Sequence, residues 1–369
     1  MDPTPLQIQG AGLGAARVSE YRGAISAARF GDAREEFAAL RSGCGVYDLG
    51  FRAKISLTGN DRVRWLNGMV TNNIRDLAAG RGVYTFLLNP QGHILGDLHA
   101  YNRGDSITVD TDHSQLEKTL ATFDHYIIMD DVEVANLSGQ TTALGIGGPK
   151  ARAVLQATGL KFPELEPLQF HSLQCDCDCG CLTCTIIRED AAEEAYEVCL
   201  APAHVKPLWD GLVAAGATPI GFEALEMQRI ASGIPRYGVD IRERDLPQET
   251  EQARALNFNK GCYVGQEIVE RIRSRGAVHK MFTGFLAQGT AQIAAGDKIV
   301  AGEKEVGEVT SVASLTLAGA EKTVALGYIR REVGVPGREV RIGTVPATVV
   351  QFPLEERQAV GSVEGKLYG

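Results

Sequence analysis

The sequence predicts an α+β fold followed by a small C-terminal β-barrel, and three observations carry that expectation. Strand-like and helical runs alternate up to Arg275-Gly276 at spacings too irregular for a solenoid. From Val278 onward the pattern changes to short alternating stretches such as KIVAGEKEVGEVTSVAS and REVRIGTVPATVVQF, broken by glycine turns. Glycine makes up 42 of 369 residues, above the ~7% of average chains, as expected where many tight turns join strands. The expected division is therefore 1–277 and 278–369.

Taken in order, an Ala/Gly-rich arm leads to a helix predicted over Ala33–Ser42. GVYDLGFRAKISLTGNDRVRWLNGMVTNNI then reads as strand, turn and helix. Lys54–Leu57 alternates, Gly59-Asn60 breaks the strand, and Asp61 caps a helix that buries Val63, Leu66 and Val70. GVYTFLLNPQGHILGDLHAYNRGDSITVDT holds three strands parted by the turn sequences Asn89-Pro90-Gln91-Gly92 and Asn102-Arg103-Gly104-Asp105, which makes a β-meander. A second αβ block spans about Ser114 to Gly147. A third opens with a helix at Pro149–Gln156 and closes near Gly233, and a helix over Ile268–Arg273 precedes the change of pattern.

Composition excludes several classes of function. With 37 basic and 46 acidic side chains the net charge is −9, against binding to a nucleic-acid backbone. No run approaches the ~18 apolar residues of a membrane span. The N-terminus lacks a basic region ahead of an apolar core, and Asp2 and Glu20 argue against a transit peptide. A cytoplasmic location is expected, where eight cysteines stay reduced and close thiols read first as metal-binding or redox groups.

The densest grouping of polar and glycine residues is Asn259-Lys260-Gly261-Cys262-Tyr263-Val264-Gly265-Gln266-Glu267 ahead of a helix. A thiol beside Lys260 at a helix start has its thiolate favoured by the ammonium and the helix dipole, so Cys262 is the candidate nucleophile or redox group. The plainer reading is a helix-initiating turn with a structural cysteine. Cys175, Cys177, Cys179 and Cys181 would share one face of a strand, with Cys184 at CxxC spacing from Cys181. Packing of a sheet competes there with metal binding on a bent loop, and no metal site is assigned. His93, His99 and His125 lack ligand spacing. Arg271, Arg273, Arg275, His279 and Lys280 suit either a solvated face or an acidic ligand tail. No P-loop, dinucleotide fingerprint or HExxH is present.

KGCYVGQE, with RIASGIPRYGVDIRERDLPQE upstream and the GVYDLGFRAKISLTGNDRVRWLNGMVTNN and YTFLLNPQGHILGDL blocks, resembles the YgfZ branch of the superfamily that contains the glycine-cleavage T-protein, an aminomethyltransferase. The resemblance covers about residues 43–285. It implies a multi-subdomain tetrahydrofolate-binding region around a central cavity, with the C-terminal barrel closing over it. It also implies an accessory role in iron–sulfur cluster assembly or repair, with folate and iron–sulfur client or assembly proteins as partners. The alternative is a folate-dependent aminomethyltransferase or demethylase, so a transferase-like activity is left open. On this resemblance Asp97 matches the aspartate near the reactive folate nitrogen, where a carboxylate exchanges a proton with an amine. Gly96-Asp97 stands where the T-protein has two aspartates. Tyr84 matches a ring contact, Glu197 the acceptor of the pterin's N–H groups, and Arg229 a family arginine. Lys260 and Cys262 complete the candidate set as the reactive-thiol pair.

Overall fold

A computed structural model of the chain describes residues 1–354 except 11–13, 178–179, 192, 277, 288–291 and 318–319. The side chains of 175–182 and 275 also lie outside the described residues. The chain divides into two compact units, Met1–Leu225 with Gln252–Glu270, and Glu226–Glu251 with Arg271–Gly369. Among the described residues no helix is long and apolar enough to cross a membrane.

The first unit contains two large sheets among its described residues. One is five-stranded and antiparallel, in the order Arg81–Leu88, Ile94–Asn102, Ile107–Asp112, Arg52–Thr58, Glu133–Asn136. Period-two alternation puts Ala53, Ile55, Leu57, Leu98, Ala100 and Val109 on one face. That face packs on helices Arg62–Met69 and Leu116–Tyr126, where Trp65 meets Phe123 edge-on at 5.1 Å. The other sheet is six-stranded, in the order Phe170–Cys177, Gly180–Arg188, Ala195–Leu200, Thr142–Gly147, Gly45–Asp48, Thr218–Ile220, with only the last pair parallel. Its Val46, Leu144, Ile146, Ile186 and Val198 pack against helices Ala151–Ala157 and Val205–Ala214. Each sheet thus has one apolar, helix-covered face, and its other face is polar.

The helix at Ala33–Ser42 has the predicted bounds because Asp32 accepts the Arg34 N–H at 2.8 Å and Glu35 and Glu36 occupy the first turn. The Arg62–Met69 helix forms without the predicted cap. Asp61 makes no side-chain cap bond there, and its Oδ2 accepts the backbone N–H of Asp131 at 3.0 Å. Val63 is only half-buried, and Trp65, Leu66 and Met69 supply the buried face. The meander forms as the turn sequences require: Asn89 Oδ1 accepts the N–H of Gln91 and of His93, and Gly92 takes φ +79°.

The second unit holds a closed barrel in the order Lys280–Ala287, Ala320–Arg330, Lys304–Leu317, Lys298–Ala301, Glu339–Ile342, Val345–Val350. Its interior is filled by Phe285, Ile299, Val309, Ile329, Ile342 and Val349. The unit also takes in 226–251, ahead of the 277/278 boundary expected from the sequence pattern. Buried Asp240 explains why, since it accepts hydrogen bonds from Arg229, Ser311 and Thr310 and so ties this segment to a barrel strand.

Candidate functional site

The polar faces of the two sheets meet through a line of buried charges within the first unit. From the five-stranded sheet, Arg52 donates to Asp110 at 2.8 Å and to Asp112 at 2.6 Å, and Arg22 reaches Asp112 at 3.2 Å. Lys54, 1% exposed, donates to Asp110 on its own sheet and to Glu197 Oε1 on the six-stranded one. Cys199 donates to the same Glu197 oxygen at 3.1 Å. Both of these Glu197 bonds fall on Oε1, so among the described residues Oε2 remains an open acceptor.

Asp97 sits at the meander end of this layer. Tyr84 Oη donates to its Oδ2 and Gln115 Nε2 to its Oδ1, both at 2.8 Å. Each carboxylate oxygen keeps a lone pair for a further donor. Arg254, ion-paired to Asp190 at 2.6 Å, lies with its guanidinium carbon 4.7 Å from the Tyr84 ring centre.

The electrostatics follow from burial and pairing. Burial works against the Lys54 ammonium, but the Asp110 and Glu197 carboxylates outweigh it and hold Lys54 above its usual range. Burial likewise opposes the Asp110 and Asp112 carboxylates, and their arginine and lysine partners overcome it, so both stay ionised below the usual range. Asp97 goes the other way, raised by burial and by the neighbouring Asp112 charge. Burial, reinforced by Arg52, pushes His99 down to about 3 and keeps its imidazole neutral. Glu189, bonded by Tyr47 Oη, is lifted to about 7 by burial and by Glu197.

The structure brings Tyr84, Asp97 and Glu197 into one polar layer and places the remaining candidates elsewhere. Arg229 lies in the second unit, 7% exposed, with Nε and Nη2 on Glu226, Nη1 on Asp240 and the Ile234 carbonyl, and Nη2 also on Ser311. Those bonds use all five guanidinium N–H groups and leave none for a ligand. Lys260 is buried and donates to the carbonyls of Asn67, Val70 and Asn72, each at 2.6 Å, at the end of the Arg62–Met69 helix. Burial pushes its pKa down to about 7, while three carbonyls match the three N–H groups of the ammonium.

Gly265 explains its own place in the octapeptide. At φ +80° an added Cβ would stand 2.5 Å from the Asn89 carbonyl oxygen. Val264 N–H donates to Gly68 O at 3.0 Å. KGCYVGQE is thus clasped to the helix end and the Asn89 turn, while Cys262 itself is exposed. The following helix begins at Gln266, so Cys262 precedes its first turn.

Cys175 and Cys177 lie on one strand of a hairpin and Cys181 on the other, with Asp176 paired to Cys181 and Cys177 to Gly180, so these three do not share one strand, and Cys179 lies outside the described residues. Their side chains lie outside the described residues. Cys184 and Cys199 are described and buried. The layer also uses residues not singled out from the sequence as site candidates: Arg22, Arg52, Lys54, Asp110, Asp112, Gln115 and Arg254. The signal present was the period-two run Arg52-Ala53-Lys54-Ile55-Ser56, matched by Thr108-Val109-Asp110-Thr111-Asp112.

The sequence matches the GCVT N-terminal domain over residues 9–260 and the glycine cleavage T-protein C-terminal barrel domain over residues 280–354. It is 29% identical to an aminomethyltransferase of Rubrobacter xylanophilus, covering 96% of this chain and 94% of the relative. It is 28% identical to one from Streptomyces coelicolor, covering 93% and 95%. The crystal structure of glycine cleavage system aminomethyltransferase T from Bartonella henselae superposes with a TM-score of 0.85 at 22% identity over 96% of this chain and 98% of that one, a likeness of fold.

Proposed function

The chain belongs to the glycine-cleavage T-protein (GCVT) family, and from that premise we propose that it is a folate-dependent protein of the aminomethyltransferase type, with its pterin site in the charged layer between the two sheets. Tetrahydrofolate is the family's one-carbon acceptor, and when bound it supplies the amine nitrogens that carry the transferred group.

The observation that carries the reading is the open Oε2 of Glu197, held in place by Lys54 and Cys199 on Oε1. A fixed, buried carboxylate edge fits the amino and ring N–H donors of a reduced pterin. Tyr84 and Gln115 orient Asp97, whose raised pKa suits it to hold a proton on a carboxyl oxygen beside a ligand amine. Loss of a charge-assisted hydrogen bond costs about 1.5–3 kcal/mol, which is roughly ten- to hundredfold in affinity. Glu197→Ala is therefore expected to weaken tetrahydrofolate binding by at least about tenfold in a calorimetric titration. Equal affinity in wild type and variant removes Glu197 from the site.

A second reading, a YgfZ-type accessory role in iron–sulfur assembly, is favoured by Cys262. Its thiol is exposed in an octapeptide whose Lys260, Val264 and Gly265 are held against the fold. Aminomethyl transfer to a folate amine has no need of that thiol. Limiting iodoacetamide is expected to label Cys262 ahead of the buried Cys44 and Cys199. Cys262→Ser is expected to abolish support of an iron–sulfur enzyme in cells and to leave folate affinity unchanged. Normal support by the serine variant eliminates this reading and leaves transferase chemistry standing.

A further inference from the structure

A cavity of about 380 Å³ opens in the first unit, lined on one side by Arg103, Thr108 and Ser56 and on the other by Thr183 and Thr185. Tyr84, Asp97 and Glu197 do not line it, but Lys54, its ion-pair partner Asp110 and Cys199 do, and Lys54 and Cys199 also donate to Glu197 Oε1. Its volume lies within the ~300–1,000 Å³ range of small-molecule pockets.

Arg103 sets this cavity apart from the neighbouring layer. Arg22, Arg52, Lys54 and Arg254 each face a carboxylate. Arg103 is half-buried and, among the described residues, has no acidic partner. Its Nε donates to Thr108 Oγ1 at 2.6 Å and its Nη1 to Thr185 Oγ1 at 3.3 Å, and the Phe170 ring centre lies 5.1 Å from its guanidinium carbon. Two hydroxyls and an aromatic face therefore fix the group while using two of its five N–H donors. Three donors and a full positive charge remain. Among the described residues, the hydroxyls of Ser56 and Thr183, one on each side of the cavity, have no hydrogen-bond partner either.

We infer that this cavity is a second ligand site, taking a small molecule whose oxyanion, a carboxylate or a phosphate, is held by the Arg103 fork and the surrounding hydroxyls. A planar guanidinium with parallel free N–H groups binds either anion in bidentate fashion. The body of the ligand lies against Tyr101, Leu137 and Ile187. The inference goes beyond the folate reading and stands without it, because its test contains no folate.

The test is calorimetric titration of the full chain with inorganic phosphate and, separately, with succinate, at constant ionic strength. Saturable one-to-one binding of at least one is expected, and whichever binds identifies the ligand's anionic group. Arg103→Met is expected to weaken it by about tenfold or more, as loss of a charge-assisted hydrogen bond requires. Arg103→Lys, which keeps the charge and loses the fork, is expected to fall between. Thermal midpoints of both variants without anion separate loss of binding from loss of fold. If neither anion saturates, or if both folded variants bind as wild type does, the inference is overturned.

Discussion

Lys54→Met is expected to destabilise the first unit by about 3–5 kcal/mol, the cost of removing one partner from a buried ion pair. Methionine keeps most of the side-chain volume, so the loss reports charge and not a cavity. In its absence Glu197 Oε1 keeps only the weak thiol donor of Cys199, and Asp110 keeps Arg52 alone. Urea denaturation of variant and wild type measures the difference. The sign of its pH dependence is also set. Asp110 is held ionised below its usual range in the wild type, partly by Lys54. Without that lysine its folded pKa rises, so the deficit is full at neutral pH and narrows as acid protonates the carboxyl in both states. A loss under about 1 kcal/mol, typical of exposed pairs, with no pH dependence would mean that water solvates the layer and that Lys54 does not hold Glu197 in place.

Why this layer was hidden in the sequence is a matter of symmetry in the β pattern. Arg52-Ala53-Lys54-Ile55-Ser56 alternates polar and apolar, which is what a strand with one solvated face does. A polar face turned toward a second polar sheet leaves the same period-two trace. Only the pairing partner distinguishes them, and Glu197 lies 143 positions from Lys54. The meander was legible because its turns are written locally, in Asn89-Pro90-Gln91-Gly92 and Asn102-Arg103-Gly104-Asp105, and so was the barrel, whose strands are short and separated by glycine turns. Tyr84, Asp97 and Glu197 came from a family pattern and not from spacing. For KGCYVGQE, composition gave no sign that Lys260 points into the end of a helix, since its three acceptors are backbone carbonyls of Asn67, Val70 and Asn72.

Arg229→Met is expected to be as damaging to the second unit, again about 3–5 kcal/mol, because it leaves Asp240 buried without its countercharge. Asp240 is fully buried and retains the hydroxyls of Thr310 and Ser311 and the Arg236 N–H, which hydrogen-bond the carboxylate without neutralising it. Adding Asp240→Asn to Arg229→Met is therefore expected to recover part of the loss, since the amide removes the uncompensated charge. The two single variants and the double form a cycle whose coupling is predicted at about 1 kcal/mol or more, within the ~0.5–3 kcal/mol seen for residues in contact. Thermal and urea unfolding supply the four stabilities. Tetrahydrofolate titration on the same proteins supplies the contrast, because an arginine with every N–H bonded inside its own unit has no donor left for a ligand. Folate affinity should follow the folded fraction and fall no further. A variant with wild-type stability, no coupling to Asp240 and weakened folate binding would return Arg229 to the ligand and require its guanidinium to leave Asp240 when folate binds.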